Sequence, residues 1–132
     1  MRSCLRRNQP GPLQVQAAIA AVHADAPTAE ATDWRQIVAL YDQLHALRPD
    51  PVVALHRAIA LAELHGAAAG LDALGTVAAA PLQGYQPYHA ARADLLARAG
   101  RGGEARAAYD QALALTTNPV ERDFLSTRRS AT

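Results

Sequence analysis

One cysteine, one tryptophan, one phenylalanine and one methionine are all that these 132 residues contain of those four types. A lone Cys4 cannot close an internal disulfide, so the fold must hold by packing alone. Aromatic residues make up 5% of the chain while half of it is apolar, so the core has to be built from small side chains, which suits closely packed helices in one domain. An excess of one charge is missing too. With a formal net charge of +1 there is no overall field to draw in a polyanion, and any nucleic-acid contact would need a local patch. The basic residues that cluster near the ends, Arg2, Arg6 and Arg7 ahead of Pro10 and Arg122, Arg128 and Arg129 further on, read as solvated tails. No apolar run reaches transmembrane length and no signal-peptide core is present, so the expectation is a soluble, cytoplasmic protein with no membrane contact.

Alanine is what the chain has in abundance. Runs such as Ala17-Ala18-Ile19-Ala20-Ala21, Ala67-Ala68-Ala69 and Ala78-Ala79-Ala80 favour helix and disfavour strand. Pro, Gly, Asn and Asp cut the chain into about seven helical segments. The first is expected from Leu13 to Ala24, stopping before Ala26-Pro27, with an irregular turn over Thr28 to Thr32. The second starts after the N-cap Asp33 and ends at Leu47, before Arg48-Pro49-Asp50-Pro51. The third opens on Pro51 and closes at His65-Gly66. A fourth is expected over Ala67 to Ala79, then a connector from Pro81 to Pro87. A fifth follows over Tyr88 to Ala99, closing at Gly100, and a sixth over Gly103 to Leu115. Asn118-Pro119 opens a last, half-polar helix, Val120 to Arg128, of the kind that caps a solenoid. The domain boundaries implied are a tail over 1–11, a helical domain over 12–128 and a tail over 129–132.

The segments also repeat. Ala93, Leu96, Gly100, Ala105, Tyr109, Ala112 and Leu113 follow the tetratricopeptide pattern, in which small residues sit where two helices cross and an aromatic fills the gap. Ala58, Leu61, Gly70 and Leu74 lie 35 positions before Ala93, Leu96, Ala105 and Tyr109, close to the ~34-residue period of such repeats. The second segment echoes the motif through Ile37, Tyr41, Leu44 and Pro49, paired with the first through a longer loop. The tryptophan and Leu-Gly of the usual first helix are absent. The fold class expected is all-α, antiparallel helix pairs stacked as a short tetratricopeptide-like superhelix.

Catalytic patterns are missing. The histidines His23, His45, His56, His65 and His89 show no His-x-x-x-His pair and no clustered cysteine or carboxylate to complete a metal site. There is no Gly-x-Ser-x-Gly, no phosphate-binding Gly-Lys-Ser/Thr and no Cys-x-x-Cys, and Gly100 to Gly103 reads as a turn. Trp34, Tyr41 and Tyr109 read as packing residues. The expectation is a protein that is not an enzyme and takes no cofactor and no metal.

A resemblance adds a biological setting. The stretch Pro12-Leu13-Gln14-Val15-Gln16-Ala17-Ala18-Ile19-Ala20-Ala21-Val22-His23-Ala24, followed by Thr32-Asp33-Trp34-Arg35-Gln36-Ile37 and Leu40-Tyr41, resembles the C-terminal extension of a group of extracytoplasmic-function RNA polymerase sigma factors. Pro51-Val52-Val53-Ala54-Leu55 with Arg57-Ala58, and His89-Ala90-Ala91-Arg92-Ala93-Asp94-Leu95-Leu96, extend the likeness from Pro12 to about Leu125. Leu13 stands where the family commonly has tyrosine, and His56 where it commonly has asparagine. The resemblance implies that sigma regions two and four precede this extension in a parent protein and that the extension controls sigma activity. No such regions are found in Met1 to Pro10, so the chain is expected to be a truncated product or an excised extension. Its partners would be sigma regions two or four, RNA polymerase or a regulatory protein, with no direct binding of nucleic acid. The main alternative is a free-standing tetratricopeptide adaptor unrelated to transcription, and a weaker one is a small helical enzyme using histidine.

In tetratricopeptide arrays the first helix of each pair lines the concave surface. The register therefore puts Val52, Leu55, Ile59 and Ala62 beside Ala90, Asp94 and Ala97 as the expected partner-binding groove. It is mostly apolar and lacks the Lys/Asn/Arg set with which some relatives clamp a peptide carboxylate, so it suits an apolar helix or extended segment. The competing expectation is that the chain's own last helix fills it.

Overall fold

A computed structural model describes residues 11–25, 33–77 and 80–132, and among the described residues it holds seven α-helices and no strand. They are α1 (Pro12–Asp25), α2 (Trp34–Leu47), α3 (Pro51–His65), α4 (Ala67–Gly75), α5 (Gln86–Arg98), α6 (Gly102–Ala114) and α7 (Pro119–Ser130), with a short 3-10 turn at Ala80–Leu82 between α4 and α5. The N-terminal residues Arg2, Cys4, Arg6 and Arg7 and the turn expected over Thr28 to Thr32 lie outside the described residues.

The helix ends follow from local chemistry. Asp33, Asp50 and Asn118 cap α2, α3 and α7 by accepting from the amides of Gln36 (3.1 Å), Val52 (2.7 Å) and Val120 (2.9 Å), which satisfies donors that a first turn leaves without a partner. Gly66 (φ 102°) ends α3 and Gly100 (φ 79°) ends α5, a backbone region that side chains other than glycine's rarely adopt. At Gly100 the amide of Arg101 reaches back to the carbonyl of Leu96 (2.9 Å), a Schellman closure.

Three sequence expectations need correcting. The fourth helix stops at Gly75, not Ala79: the Thr76 hydroxyl donates to the carbonyl of Ala73 (2.7 Å), and Val77 and Leu82 then turn into the core. The fifth begins at Gln86, because Pro87 is a first-turn proline of α5 and not part of the connector. The boundary drawn at residue 128 falls inside α7, which runs to Ser130, with Arg129 bonded to Asp110 and Arg106 to the backbone oxygen of Thr132.

Neighbouring helices pack as antiparallel pairs, and the small residues explain how closely. A Cβ placed on Gly70 would lie 2.5 Å from the Cβ of Ala62 and 3.1 Å from the backbone oxygen of Ala58, so α3 and α4 cross where only glycine fits. Ala58, Ala93 and Ala105 are fully buried at the corresponding crossings, and Tyr109, 2% exposed, fills the space between α5 and α6. Among the described residues three clusters make the core. Val15, Ile19, Ile37 and Leu44 join α1 to α2; Leu55, Ala58, Leu74 and Leu95 join α3 to α4 and α5; Ala93, Leu96, Tyr109 and Leu125 join α5 to α6 and α7. Trp34 and Tyr41 pack against the first of these while remaining partly exposed.

Two ion pairs also link helices that are not neighbours in sequence. Glu63 on α3 meets Arg98 on α5 across 35 positions, and Asp94 on α5 meets Arg128 on α7 across 34. Equivalent turns of successive first helices therefore lie side by side, with α7 in the place of a third.

Candidate functional site

The first helices α3, α5 and α7 frame a groove of about 410 Å³. Its floor is the alanine-rich face of α5, Ala90 and Ala91 with Asp94, and its walls carry Ile59 and Glu63 from α3 and Phe124 and Arg128 from α7. Alanine and aspartate keep the floor low, so a docking backbone can approach closely. Tyr109 of α6 reaches the groove from behind while staying buried.

A chain of charges crosses one end. Arg98 bridges Glu63 (3.1 Å) and Asp94 (2.9 Å), and Arg128 binds the other oxygen of Asp94 (2.7 Å). Two carboxylates and two guanidiniums balance, so the groove end is electroneutral and the apolar floor is its main attraction. Partial burial would lower the pKa of Arg98, but its bonds to Glu63 and its attraction to Asp94 outweigh that and raise it. Arg128 is likewise raised, by the Tyr109 hydroxyl first and by Asp94 after it, and it also lies 5.7 Å above the Phe124 ring.

A second groove, about 280 Å³, lies between α1 and α3. Ile19, Tyr41, Leu44, Val52 and His56 line it. The rings of Tyr41 and His56 are 6.0 Å apart and tilted. Burial raises the Tyr41 pKa and lowers that of His56, which keeps both neutral at pH 7. Along α3, Val52 and His56 face this groove while Ile59 and Glu63 face the larger one, a single helical stripe at spacings of four, three and four.

The seven residues expected to line one groove fall in four places. Ile59, Ala90 and Asp94 come together in the larger groove. Val52 lines the smaller one, and Ala97 is partly buried against the cluster of α5, α6 and α7. Leu55 (0% exposed) and Ala62 (4%) are core residues. Their side of α3 faces α4, where Gly70 draws the two helices together, so they offer nothing to a partner. The last helix does not fill the groove but forms one wall of it. Sequence reasoning missed Glu63, Arg98, Phe124 and Arg128, although opposite charges at the repeat spacing, 63 with 98 and 94 with 128, were a readable signal.

No protein-family profile matches the chain, and no solved structure matches it. An uncharacterized protein of Rhizobium meliloti is 46% identical over 121 residues, which is 92% of this chain but 28% of that protein. The chain thus spans little more than a quarter of the relative's length.

The remaining polar features do not converge on chemistry. Among the described residues no three His, Cys, Asp or Glu side chains form a cluster able to hold a metal ion, and no helix is long and apolar enough to cross a membrane. His89, 3% exposed, has its Nε2 2.8 Å from the carbonyl of Gln83, which fixes the loop before α5. Its Nδ1 is buried without a partner, as is that of His45.

Proposed function

We propose that this chain is a non-catalytic, tetratricopeptide-like protein-interaction domain that regulates transcription initiation as the C-terminal extension of an extracytoplasmic-function sigma factor. The observation that carries the interaction reading is the open, electroneutral groove on the face of the stacked first helices, floored by Ala90 and Ala91 and walled by Ile59 and Phe124. Small residues at crossings 35 positions apart, and ion pairs at the same spacing, support the tetratricopeptide assignment. The sigma assignment rests on the resemblance over Pro12 to Leu125. A relative that matches 92% of this chain but is several times longer suits a domain that works attached to others.

The partner is a sigma region of the parent protein, presented as an apolar helix or extended segment. An Ile59→Asp, Phe124→Asp double variant places charge on both walls at positions that are not buried. Its binding to a fragment carrying sigma regions two and four is expected to fall at least ~tenfold with the melting temperature nearly unchanged. Undiminished binding refutes the groove assignment. Absence of sigma-encoding sequence upstream in the genome removes the sigma reading and leaves the free-standing adaptor.

A further inference from the structure

The last helix occupies the position of a third first helix, yet its hold there is slight. Its one buried residue is Leu125, 3% exposed, while Val120 and Phe124 are 77% and 61% exposed. The remaining grip is polar. Arg128 binds Asp94 of α5 (2.7 Å), Arg129 binds Asp110 of α6 (2.6 Å), and Arg122 donates to the carbonyls of Leu113 (2.7 Å) and Thr116 (2.8 Å). Exposed ion pairs contribute little individually, so α7 can open locally well short of global unfolding. What it would uncover is an apolar socket shaped by Leu96 and Tyr109 and flanked by two aspartates. The sign and spacing of that face match a leucine followed three and four positions later by arginines.

We propose that the α5–α6 face is a docking site for a basic amphipathic helix of this leucine–arginine–arginine pattern, and that α7 is its exchangeable resident, displaced when a partner helix of the same chemistry binds. The idea builds on the protein-interaction reading but can be tested without any sigma fragment.

The probe is a fluorescein-labelled peptide of residues 118–131, titrated into the full chain and followed by anisotropy. The short connector Leu115–Asn118 holds α7 at an effective concentration of the order of millimolar, so the free peptide competes poorly with it in the wild type. A Leu125→Asp protein, whose α7 is unlatched, is expected to bind the peptide at least ~tenfold more tightly. An Arg128→Glu, Arg129→Glu protein should shift the same way with its apolar core untouched, and a peptide carrying those two reversals should bind neither protein. In wild-type protein, hydrogen exchange should be at least ~tenfold faster in α7 than in α5 and α6. Equal protection of the three helices, peptide affinity no higher in either variant, or loss of α5–α6 protection when α7 is unlatched overturns the proposal. If the groove binds a sigma fragment while these tests fail, the functional reading stands and only the exchangeable helix is lost.

Discussion

The α3–α4 and α5–α6 pairs solve one packing problem in two ways. Both place a fully buried alanine on the first helix, Ala58 or Ala93. The second helix then differs. The α3–α4 pair uses Gly70 at the crossing and Leu74 one turn later, whereas α5–α6 uses Ala105 and Tyr109. The glycine crossing brings the α3 and α4 backbones close, Leu74 is buried one turn later, and Val77 and Leu82 close the core from beyond the end of α4. At the α5–α6 crossing Ala105 is fully buried, and the buried Tyr109 ring fills the space one turn later.

The largest expected effect is removal of the filler. Tyr109→Ala should destabilise the protein by about 3–5 kcal/mol, because the ring is buried among alanines that cannot collapse into the cavity. Leu74→Ala, at the equivalent place in the α3–α4 pair, removes a smaller side chain and should cost less, about 2–3 kcal/mol. Urea denaturation of both variants measures the difference, and a larger loss from Leu74→Ala would break the contrast.

Next comes the crossing itself. Gly70→Ala would improve helix propensity by about 1 kcal/mol, but its Cβ would meet that of Ala62 at 2.5 Å, too close for either rigid backbone to yield cheaply. Net destabilisation of about 1–3 kcal/mol is expected. A stabilised Gly70→Ala variant would mean that α3 and α4 do not cross this closely.

These two positions also show why so much of the fold was legible in sequence. Caps and breakers act within a turn of their own position, so Asp33, Asp50, Gly66, Gly100 and Asn118 announced their helix ends directly. Small residues at a 35-residue spacing betrayed the crossings, since nothing but close approach demands them in both pairs. The end of α4 was hidden because Ala78-Ala79-Ala80 has helical propensity while Val77 and Leu82 gain more by burial, a tertiary effect. The site was only half legible for a related reason. Leu55 and Ile59 are both apolar and one turn apart, but the first lies towards α4 and the second towards the groove, and a helical period cannot say which neighbour an apolar side chain meets. The sign of each charged residue was readable, whereas its meeting a partner one repeat away required the stack.

The ion pairs between units allow a smaller test of register. Asp94 accepts from both Arg98 and Arg128, while Glu63 accepts from Arg98 alone. Asp94→Asn should therefore cost more than Glu63→Gln, each at most about 1 kcal/mol because the partners are partly exposed, and both losses should shrink at 1 M salt. Equal, salt-insensitive effects would detach these residues from the stacking of α3, α5 and α7.

The smallest expected effect separates the two pairs by pH. His56 on α3 corresponds to Ala91 on α5, so only the first pair carries a titrating ring at this position. Burial, to which the Tyr41 ring 6.0 Å away belongs, lowers the His56 pKa below its usual 6.5, which means that the unfolded chain binds a proton more readily than the folded one. Stability from the neutral ring is present above about pH 6.5 and is lost as pH falls through the folded-state value. The ring is partly open to water, so screening keeps the effect well under about 1 kcal/mol. A His56→Ala variant, which makes α3 match α5 here, should lose less stability between pH 7.5 and pH 5.5 than the wild type does. If the two proteins respond identically, the Tyr41–His56 contact does not survive in solution, and the smaller groove between α1 and α3 is not formed as described.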